Sequence, residues 1–304
     1  MLTGVKNDQR LLLVHAHPDD ESSQSAATMA HYLGAGAQVT LVTCTLGERG
    51  EILVPEWEHF SPAELGQHRL GEIGEAMRIL GLTDHVFLGG AGRYHDTGMD
   101  RDEQGKVVPP ADMPANAFWR ADLLEAANHL VEIIRDRRPQ VISTYDPFGG
   151  YGHPDHVQAH RVTMYATLLA GTPSHRPDLG EPWVASRVLW STHNMTGWQE
   201  AYRIAQERGI ELWPEGERGP DENAPDPSRY VALIETRPWL DVCQQVLLTH
   251  RSQVDGSHPF WRFYEIMREL PGSGETYLLG HGLPFPANSQ LPSSDLFEGI
   301  ALGA

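Results

Sequence analysis

Short apolar runs alternate with longer amphipathic segments through residues 1–170 of the chain. Unbroken apolar runs of about four to eight residues are typical of buried strands, whereas apolar residues spaced three or four apart are typical of helices. The strands predicted in this way are 11–15, 38–44, 85–88 and 141–144, and the helices are 21–33, 63–80, 117–137 and 154–170. Strand–helix alternation predicts βαβ units, and therefore an α/β, Rossmann-like, mostly parallel sheet flanked by helices.

The remainder of the chain, residues 171–304, has a less regular pattern. Its apolar runs predict strands at 187–191 and 230–234 and a helix at 237–248. Residues 213–229 are rich in Pro, Gly and acidic residues, a composition that predicts a mobile loop. We therefore predict a Rossmann-like, metal-binding catalytic core at 1–170 and a smaller C-terminal lobe at 171–304 that helps to close the substrate site.

Two polar segments follow predicted strands. His15–Glu21, of sequence HAHPDDE, comes at the end of the first strand, and Tyr151–His156, of sequence YGHPDH, comes shortly after the fourth. In an open parallel sheet the ligand site lies beyond the carboxyl ends of the strands. Both segments are therefore expected to meet in one crevice, although they are far apart along the chain.

The residue types in these segments suit a catalytic metal. Zinc in enzymes takes three protein ligands with nitrogen, oxygen or sulfur donors and leaves one position for water. His17 and Asp20 lie three apart across a turn into a helix, so both can reach one point, and His156 can supply the third ligand. Asp19 then remains beside the metal as a proton acceptor, and His153 faces the same crevice as an acid or an oxyanion-stabilising group.

Simpler interpretations exist for single residues of these motifs. Asp20 or Ser22 would also serve as a helix N-cap, and Pro154 as a first-turn proline. Two clusters that mix His with Asp at strand ends nevertheless favour a metal site, in which Asp155 could orient one of the imidazoles. The other histidines, His250 among them, have no such neighbours in sequence and are predicted to be packed or at the surface.

Four runs in this order resemble the LmbE/PIG-L family of metal-dependent deacetylases, and most closely its mycothiol-pathway branch. They are VHAHPDDES (14–22), VTCTLGERGEI (42–52), GGAGRYHDTGM (89–99) and TYDPFGGYGHPDH (144–156), with weaker likeness at HRSQ (250–253) and YLL (277–279). The resemblance implies one Zn²⁺ per subunit, with Fe²⁺ as a second metal that the same ligands would accept in the cell.

Roles for individual residues also follow from the resemblance. It implies zinc ligation by His17, Asp20 and His156, with Asp19 as the general base. His153 would be the acid or electrostatic catalyst. Tyr151 would be a mobile phenol that stabilises the tetrahedral oxyanion.

Two further positions match family residues that hold the inositol and sugar hydroxyls. These are Arg69 and Asp96, although Arg69 would equally suit a solvated helix surface and Asp96 a turn.

The activity implied by the resemblance is hydrolysis of the N-acetyl group of an N-acetylglucosamine-type substrate. The substrate would be 1-(2-acetamido-2-deoxy-glucopyranosyl)-myo-inositol, with release of acetate and the free amine. The serines of 22–25 and the segment 250–260 instead resemble the related mycothiol S-conjugate amidases. Hydrolysis of another N-acetyl amino sugar is a further alternative within the family.

Two alternatives belong to other functional classes. Non-heme Fe(II) oxygenases also use two histidines and one carboxylate, but the strand–helix alternation disfavours them. A sugar-binding protein without activity is the other, and the complete set of five His and Asp residues in the two motifs argues against it.

The composition limits the classes of partner that the protein is expected to bind. The formal net charge is −18, from 41 acidic and 23 basic residues, which disfavours nucleic acid and anionic membrane surfaces. The two cysteines form no metal-binding or disulfide pattern, and Cys44 lies in an apolar run that predicts a buried thiol. No apolar run approaches the roughly 20 residues of a membrane span. We therefore expect a cytoplasmic enzyme with a small amino-sugar substrate; the sequence does not indicate an oligomeric state.

Overall fold

The computed structural model describes residues 8–212, 225–258 and 261–302. In chain order the strands are β1 (Arg10–His15), β2 (Gln38–Thr43), β3 (Asp84–Phe87), β4 (Asp100–Arg101), β5 (Val107–Val108), β6 (Val141–Tyr145), β7 (Arg187–Thr192), β8 (Ala232–Glu235) and β9 (Gly274–Gly282). The helices are α1 (Asp20–Gln24), α2 (Ala26–Gly34), α3 (Pro62–Leu80), α4 (Leu123–Arg137), α5 (Pro154–Ala170), α6 (Met195–Glu207), α7 (Leu240–Leu247) and α8 (Trp261–Glu269).

Seven strands form one sheet in the order β3-β2-β1-β6-β7-β9-β8, and β4 and β5 form a separate hairpin. The five strands from β3 to β7 in this order pair in parallel, and β9 is antiparallel to both of its neighbours. Helices pack against both faces of the sheet. The predicted Rossmann-like, mostly parallel α/β architecture is confirmed.

The order of the strands explains where the two polar segments meet. From β1 the chain moves outward through β2 to β3, and it then returns to the other side of β1 to form β6 and β7. The connections that leave β1 and β6 therefore diverge, and a crevice opens between the carboxyl ends of these two strands. Residues 16–21 follow β1 and residues 146–156 follow β6, so both segments border this crevice.

β1 lies at the centre of the core. Alternate side chains of a strand point to opposite faces of the sheet. Accordingly, Leu11 and Leu13 pack in one apolar cluster, whereas Leu12 and Val14 pack in a second cluster on the other face. All four side chains are buried, which explains why the strand is apolar throughout instead of alternating.

Two predicted helices begin or continue differently in the structure. The helix expected at 117–137 begins only at Leu123, because Asp122 caps it by accepting from the Glu125 backbone N–H. The helix expected at 21–33 is divided at Ser25, and α2 then starts without a side-chain cap of its own. Instead the Glu275 carboxylate of β9 accepts two hydrogen bonds of 2.8 Å, one from the backbone N–H of residue 27 and one from that of residue 28, both in the first turn of α2.

The C-terminal part contributes β7, β8 and β9 to the same sheet. α6, α8 and β9 have no counterpart among the elements predicted from the sequence. The strand expected at 230–234 is Ala232–Glu235, and the helix expected at 237–248 begins as a 3-10 turn. The loop predicted at 213–229 lies outside the described residues as far as residue 224, and Pro227–Arg229 form a 3-10 turn. A domain boundary near residue 170 stays a prediction.

None of the helices in the described part of the chain combines the length and the apolarity that crossing a lipid bilayer requires. Cys44 is buried, as its apolar run predicts, and Cys243 is buried as well.

α5, which carries His156, is held at its C-terminal end by an arginine of α4. The buried Arg135 side chain donates to the backbone carbonyls of Leu169, Ala170, Thr172, His175, Arg176 and Gly180. The carbonyls of Leu169 and Ala170 belong to the last turn of the helix, and the other four lie in the segment 171–180 that follows it. A positive charge is also favourable at the negative end of the helix dipole.

Arg135→Met is therefore expected to lower the free energy of unfolding by about 2–4 kcal/mol, because buried carbonyls lose charge-assisted hydrogen bonds. Urea denaturation followed by circular dichroism measures the loss. Arg78→Met removes an exposed arginine that pairs with Glu75, and we expect its unfolding midpoint to match that of the wild type. Equal stability of Arg135→Met and the wild type would contradict the prediction.

Candidate active site

The centre of the site is formed by His17, Asp20 and His156. His17 Nδ1 lies 3.2 Å from Asp20 Oδ2, and His156 Nε2 lies 3.3 Å from Asp20 Oδ1. All three residues are buried, and the backbone N–H of His17 donates to Asp20 Oδ2. One carboxylate therefore bridges two imidazoles that come from opposite sides of the crevice.

The hydrogen bonds of His156 leave a free lone pair inside this group. Its Nδ1 lies 3.1 Å from the Gly149 carbonyl oxygen, which can only accept, so Nδ1 carries the hydrogen. In the neutral ring Nε2 then bears the lone pair, and this buried atom has no hydrogen-bond partner within the described residues. An unprotonated ring nitrogen and a carboxylate oxygen that face each other can both act as ligands of a metal cation between them.

Tyr145, the last residue of β6, positions both Asp20 and His156. Its hydroxyl donates to Asp20 Oδ2 at 2.7 Å and accepts from the Ala16 backbone N–H at 2.8 Å. Its ring stacks on His156, with centroids 4.2 Å apart and an interplanar angle of 15°. Although burial acts in the opposite direction, His156 and His17 hold the pKa of Asp20 well below its ordinary value. Asp20 is thus a carboxylate.

The other nitrogen of His17 faces two more carboxylates. His17 Nε2 lies 3.3 Å from Asp155 Oδ2 and 3.5 Å from Asp96 Oδ1. Asp155 is itself held by the backbone N–H and the hydroxyl of Thr97. Burial alone would lower the pKa of His17, but Asp96, Asp155 and Asp20 raise it well above its ordinary value. The surroundings of His17 therefore favour a positive charge.

These donors fit a metal ion. Ligand atoms of His17, His153 and His156 lie within 4.8 Å of one another, and so do those of His17, Asp96 and Asp155. Asp20 is in neither group, but its carboxylate contacts both His17 and His156. Imidazole nitrogen and carboxylate oxygen are donors that catalytic zinc accepts. The described residues thus form a possible metal site.

Asp19 lies beside this group in a strained conformation. Its φ is 110°, a left-handed value that few residues other than glycine adopt, and it immediately precedes α1. Strain of this kind is concentrated at functional sites, where the surrounding structure holds it in place. The Asp19 side chain is 26% exposed, and its Oδ2 accepts from Arg69 Nη2 at 2.9 Å. Partial burial raises the pKa of the Asp19 carboxyl to about 6, although the Arg69 guanidinium opposes this shift.

Arg69 is buried and makes further bonds to the loops around the site. It lies on α3, whose start is set by a capping box between Ser61 and Glu64. Its Nη1 donates to the Gly47 carbonyl at 2.7 Å, and its Nη2 also contacts the Pro18 carbonyl. Arg69 therefore ties the loop after β1 to the loop after β2 and holds the Asp19 carboxylate in place.

His153 and Tyr151 complete the rim of the site. His153 is the N-cap of α5, and its Nδ1 accepts from the Asp155 backbone N–H at 3.1 Å, so a neutral ring carries its hydrogen on Nε2. Burial, together with His17 and His156, lowers the pKa of His153 to about 2. The Tyr151 ring is 41% exposed and lies 5.1 Å from the His156 ring.

The structure thus brings the nine residues predicted from the sequence into one connected group. They are His17, Asp19, Asp20, Arg69, Asp96, Tyr151, His153, Asp155 and His156. The imidazole that Asp155 contacts is that of His17. Arg69 and Asp96 are both buried, so the solvated-surface interpretation of Arg69 is wrong.

Four residues of the site were not predicted from the sequence: Tyr145, Thr97, and Glu21 with its partner His250. Glu21 and His250 are fully buried and bonded to each other. His250 is therefore packed, as predicted, but it does have a carboxylate neighbour. Each of the missed residues lies within one of the runs that resemble the family. That position was the only signal available from the sequence.

Comparison with known proteins defines the class to which this fold and site belong. The family model described as PIG-L: GlcNAc-PI de-N-acetylase matches residues 12–167. The chain is a member of this family of de-N-acetylases, which are amide hydrolases, and the predicted LmbE/PIG-L resemblance is confirmed.

Relatives with similar sequences extend the match to nearly the full length. The chain is 46% identical to 1D-myo-inositol 2-acetamido-2-deoxy-alpha-D-glucopyranoside deacetylase of Kribbella flavida, with 96% of this chain and 98% of the relative covered. It is 45% identical to the deacetylase of the same name from a Nocardioides species, with 96% and 99% covered. These relatives bear the name of the branch that the sequence analysis singled out.

A solved structure supports the fold. N,N'-diacetylchitobiose deacetylase from Pyrococcus horikoshii matches with a TM-score of 0.61 and 18% sequence identity, over 91% of this chain and 84% of that one. At this identity the likeness concerns the architecture alone.

The contacts of Tyr145 generate a prediction about metal binding. Tyr145→Phe removes the hydroxyl that holds Asp20, and loss of such an outer partner typically weakens metal affinity about 10–100-fold. Competition with a chromophoric zinc chelator measures the change. Tyr277→Phe is the matched control, because its buried hydroxyl bonds Thr28 Oγ1 instead. Equal zinc affinity in the two variants would contradict the role given to Tyr145.

Proposed function

We propose that this protein removes the acetyl group from 1D-myo-inositol 2-acetamido-2-deoxy-α-D-glucopyranoside, with release of acetate and the free amine, in the pathway of mycothiol biosynthesis. The observation that carries the proposal is the complete group of His17, Asp19, Asp20, His153 and His156 at the crevice between β1 and β6. Relatives that bear this activity in their names match over nearly the whole chain, which supports the choice of substrate.

In the proposed enzyme His17, Asp20 and His156 hold a zinc ion, and Fe²⁺ suits the same donors. The free lone pair on His156 Nε2 and the ionised Asp20 carboxylate support this choice of ligands. When bound, such an ion supplies Lewis acidity, which polarises a carbonyl and makes water easier to deprotonate. Asp155 keeps His17 in one ring orientation, because it accepts from Nε2 and leaves Nδ1 as the ligand atom.

Asp19 is the proposed general base. Its carboxylate is partly exposed to the crevice and adjoins the ligand Asp20, so a water molecule there lies within its reach. A base works best when its pKa is near the working pH, and the pKa of about 6 leaves Asp19 ionised but still basic. Asp19 would take the proton of the attacking water and later transfer it to the leaving amine.

His153 and Tyr151 are the proposed oxyanion-stabilising residues. The neutral His153 ring carries its hydrogen on Nε2, so it can donate to the oxygen that becomes negative in the tetrahedral intermediate. The Tyr151 hydroxyl at the rim is a second donor. Donors of this kind are worth about 3–4 kcal/mol each in well-studied hydrolases.

Contacts of Arg69 and Asp96 with the inositol and sugar hydroxyls stay predictions. Their hydrogen bonds support a role in the site itself, since Arg69 holds Asp19 and Asp96 faces His17. Cytoplasmic location and the absence of nucleic-acid and membrane partners likewise stay predictions from the composition.

A second candidate is amide hydrolysis of a mycothiol S-conjugate, whose acyl group is much larger than acetyl. It is favoured by a cavity of about 470 Å³ that opens onto Asp19 and His156 and has apolar walls that include Leu240, Leu247 and Phe263. An acetyl group would fill only a small part of this volume.

Amine release from three substrates tests the proposal. Zinc-loaded protein is incubated with N-acetylglucosaminyl-inositol, a mycothiol S-conjugate and free N-acetylglucosamine, and the product amine is quantified. We expect the first substrate to give the highest kcat/KM, and we expect chelation to abolish activity and added zinc to restore it. Preference for the conjugate would replace the proposal by the second candidate, and inactivity on all three would refute both.

Replacement of the base generates a second prediction. Asp19→Asn keeps the size of the side chain but removes its basicity, so kcat is expected to fall by about 10²–10⁴-fold with little change in KM. Zinc content, measured by atomic emission, is expected to stay that of the wild type. Asp112→Asn is the control, because that carboxylate is exposed and pairs with Arg49 outside the metal group. Near-normal kcat in metal-loaded Asp19→Asn would contradict the base assignment.

A further inference from the structure

The strained backbone of Asp19 is held by the side chain of Glu21, two residues further along the chain. The Asp19 N–H donates to Glu21 Oε2 at 2.9 Å, while φ at Asp19 is 110°. A left-handed φ in a residue other than glycine persists only where surrounding contacts impose it. This hydrogen bond therefore fixes the main chain of Asp19, just as Arg69 fixes its side chain.

Glu21 can hold this position because its own carboxylate is fully paired. The residue is completely buried, and its Oε1 accepts from Ser22 Oγ and, at 2.9 Å, from His250 Nε2. His250 is also completely buried. An unpaired carboxylate in such surroundings is strongly unfavourable, so the position of Glu21 depends on His250.

His250 reaches this point from the C-terminal part of the chain. It follows α7 and begins the segment 250–253, which is fastened to α3. The Ser252 N–H and hydroxyl both donate to the Glu72 carboxylate at 2.7 Å. Glu72 lies one helical turn beyond Arg69 on α3. The segment that carries His250, the partner of Glu21, is thus bonded to the helix that carries Arg69, so both residues that hold Asp19 are linked through α3.

We propose that Glu21 and His250 are positioning residues for Asp19, which hold its backbone in the conformation that points its carboxylate at the attacking water. The proposal rests on the proposed function, in which Asp19 is the base. Without the imidazole, Glu21 would rotate away or take up a proton, and the Asp19 backbone would relax towards negative φ. Displacement of a catalytic group by about 1 Å can cost roughly 10²-fold in rate.

Two substitutions at one position separate positioning from packing. His250→Leu keeps the volume but removes the donor to Glu21. His250→Gln keeps a donor, because its side-chain amide nitrogen can occupy the place of Nε2. Tyr32→Phe is the control, since it deletes a buried hydroxyl that bonds Asp295 and the Leu296 N–H, far from the site.

The variants are compared with the zinc-loaded wild type by kcat, KM, zinc content, melting temperature and the NMR signal of the Asp19 amide in ¹⁵N-labelled protein. For His250→Leu we expect kcat to fall roughly 10²-fold. KM should change less than about threefold and zinc content should stay equal, with the Asp19 amide proton moving upfield and exchanging faster. For His250→Gln we expect most of the lost kcat to return, and for Tyr32→Phe we expect wild-type kcat.

Wild-type kcat in metal-loaded His250→Leu would overturn the proposal. A loss of activity that follows zinc content or the folded fraction, and that His250→Gln does not relieve, would also overturn it. If the wild type were inactive on every N-acetyl substrate, the proposed function would fail. The Asp19 amide signal would then still report on the positioning contact, and an unchanged signal in His250→Leu would reject it independently.

Discussion

Negative charge concentrated around one imidazole is the constraint on which the site depends. The carboxylates of Asp20, Asp96 and Asp155 lie 3.2, 3.5 and 3.3 Å from the ring nitrogens of His17, and all four residues are buried. Carboxylates in such surroundings repel one another and need compensation. Backbone N–H groups and hydroxyls, such as those of Thr97, provide part of it. The rest calls for a positive charge at the centre, which a protonated His17 supplies in part and which a divalent cation would supply more fully.

The sheet makes this concentration of charge possible. β1 and β6 are neighbours whose outgoing connections diverge, so two polar segments meet at the carboxyl ends of these strands. β1 is held by apolar clusters on both faces, which fixes the strand end from which the loop to Asp19 starts, and the Glu21 carboxylate then holds the strained φ of Asp19. The core and this hydrogen bond together stabilise a local conformation that the loop would not adopt alone.

The C-terminal part contributes to the site as well as to the sheet. The family model matches residues 12–167, yet His250 contacts Glu21, and Glu275 provides the N-terminal hydrogen bonds of α2. Both α1 and the start of α2 are thus bonded to residues from beyond the matched segment. A catalytic core limited to the first 170 residues would lack these contacts, and the similarity to the Kribbella flavida deacetylase extends over 96% of this chain.

The sequence alone predicted the five parallel strands of the sheet and the His and Asp residues of the two motifs, because a strand buried on both faces must be apolar throughout and because both motifs follow such strands. Tyr151, Arg69 and Asp96 were added by the family resemblance. Only the tertiary structure decided that α1 and α2 divide at Ser25, that Tyr145 holds Asp20, and that Glu21 pairs with His250, 229 positions away. Local patterns record burial and helical or strand period. The partner of a buried charge is decided by which residues the fold brings within a few ångströms, and the spacing of residues in one segment carries no record of that.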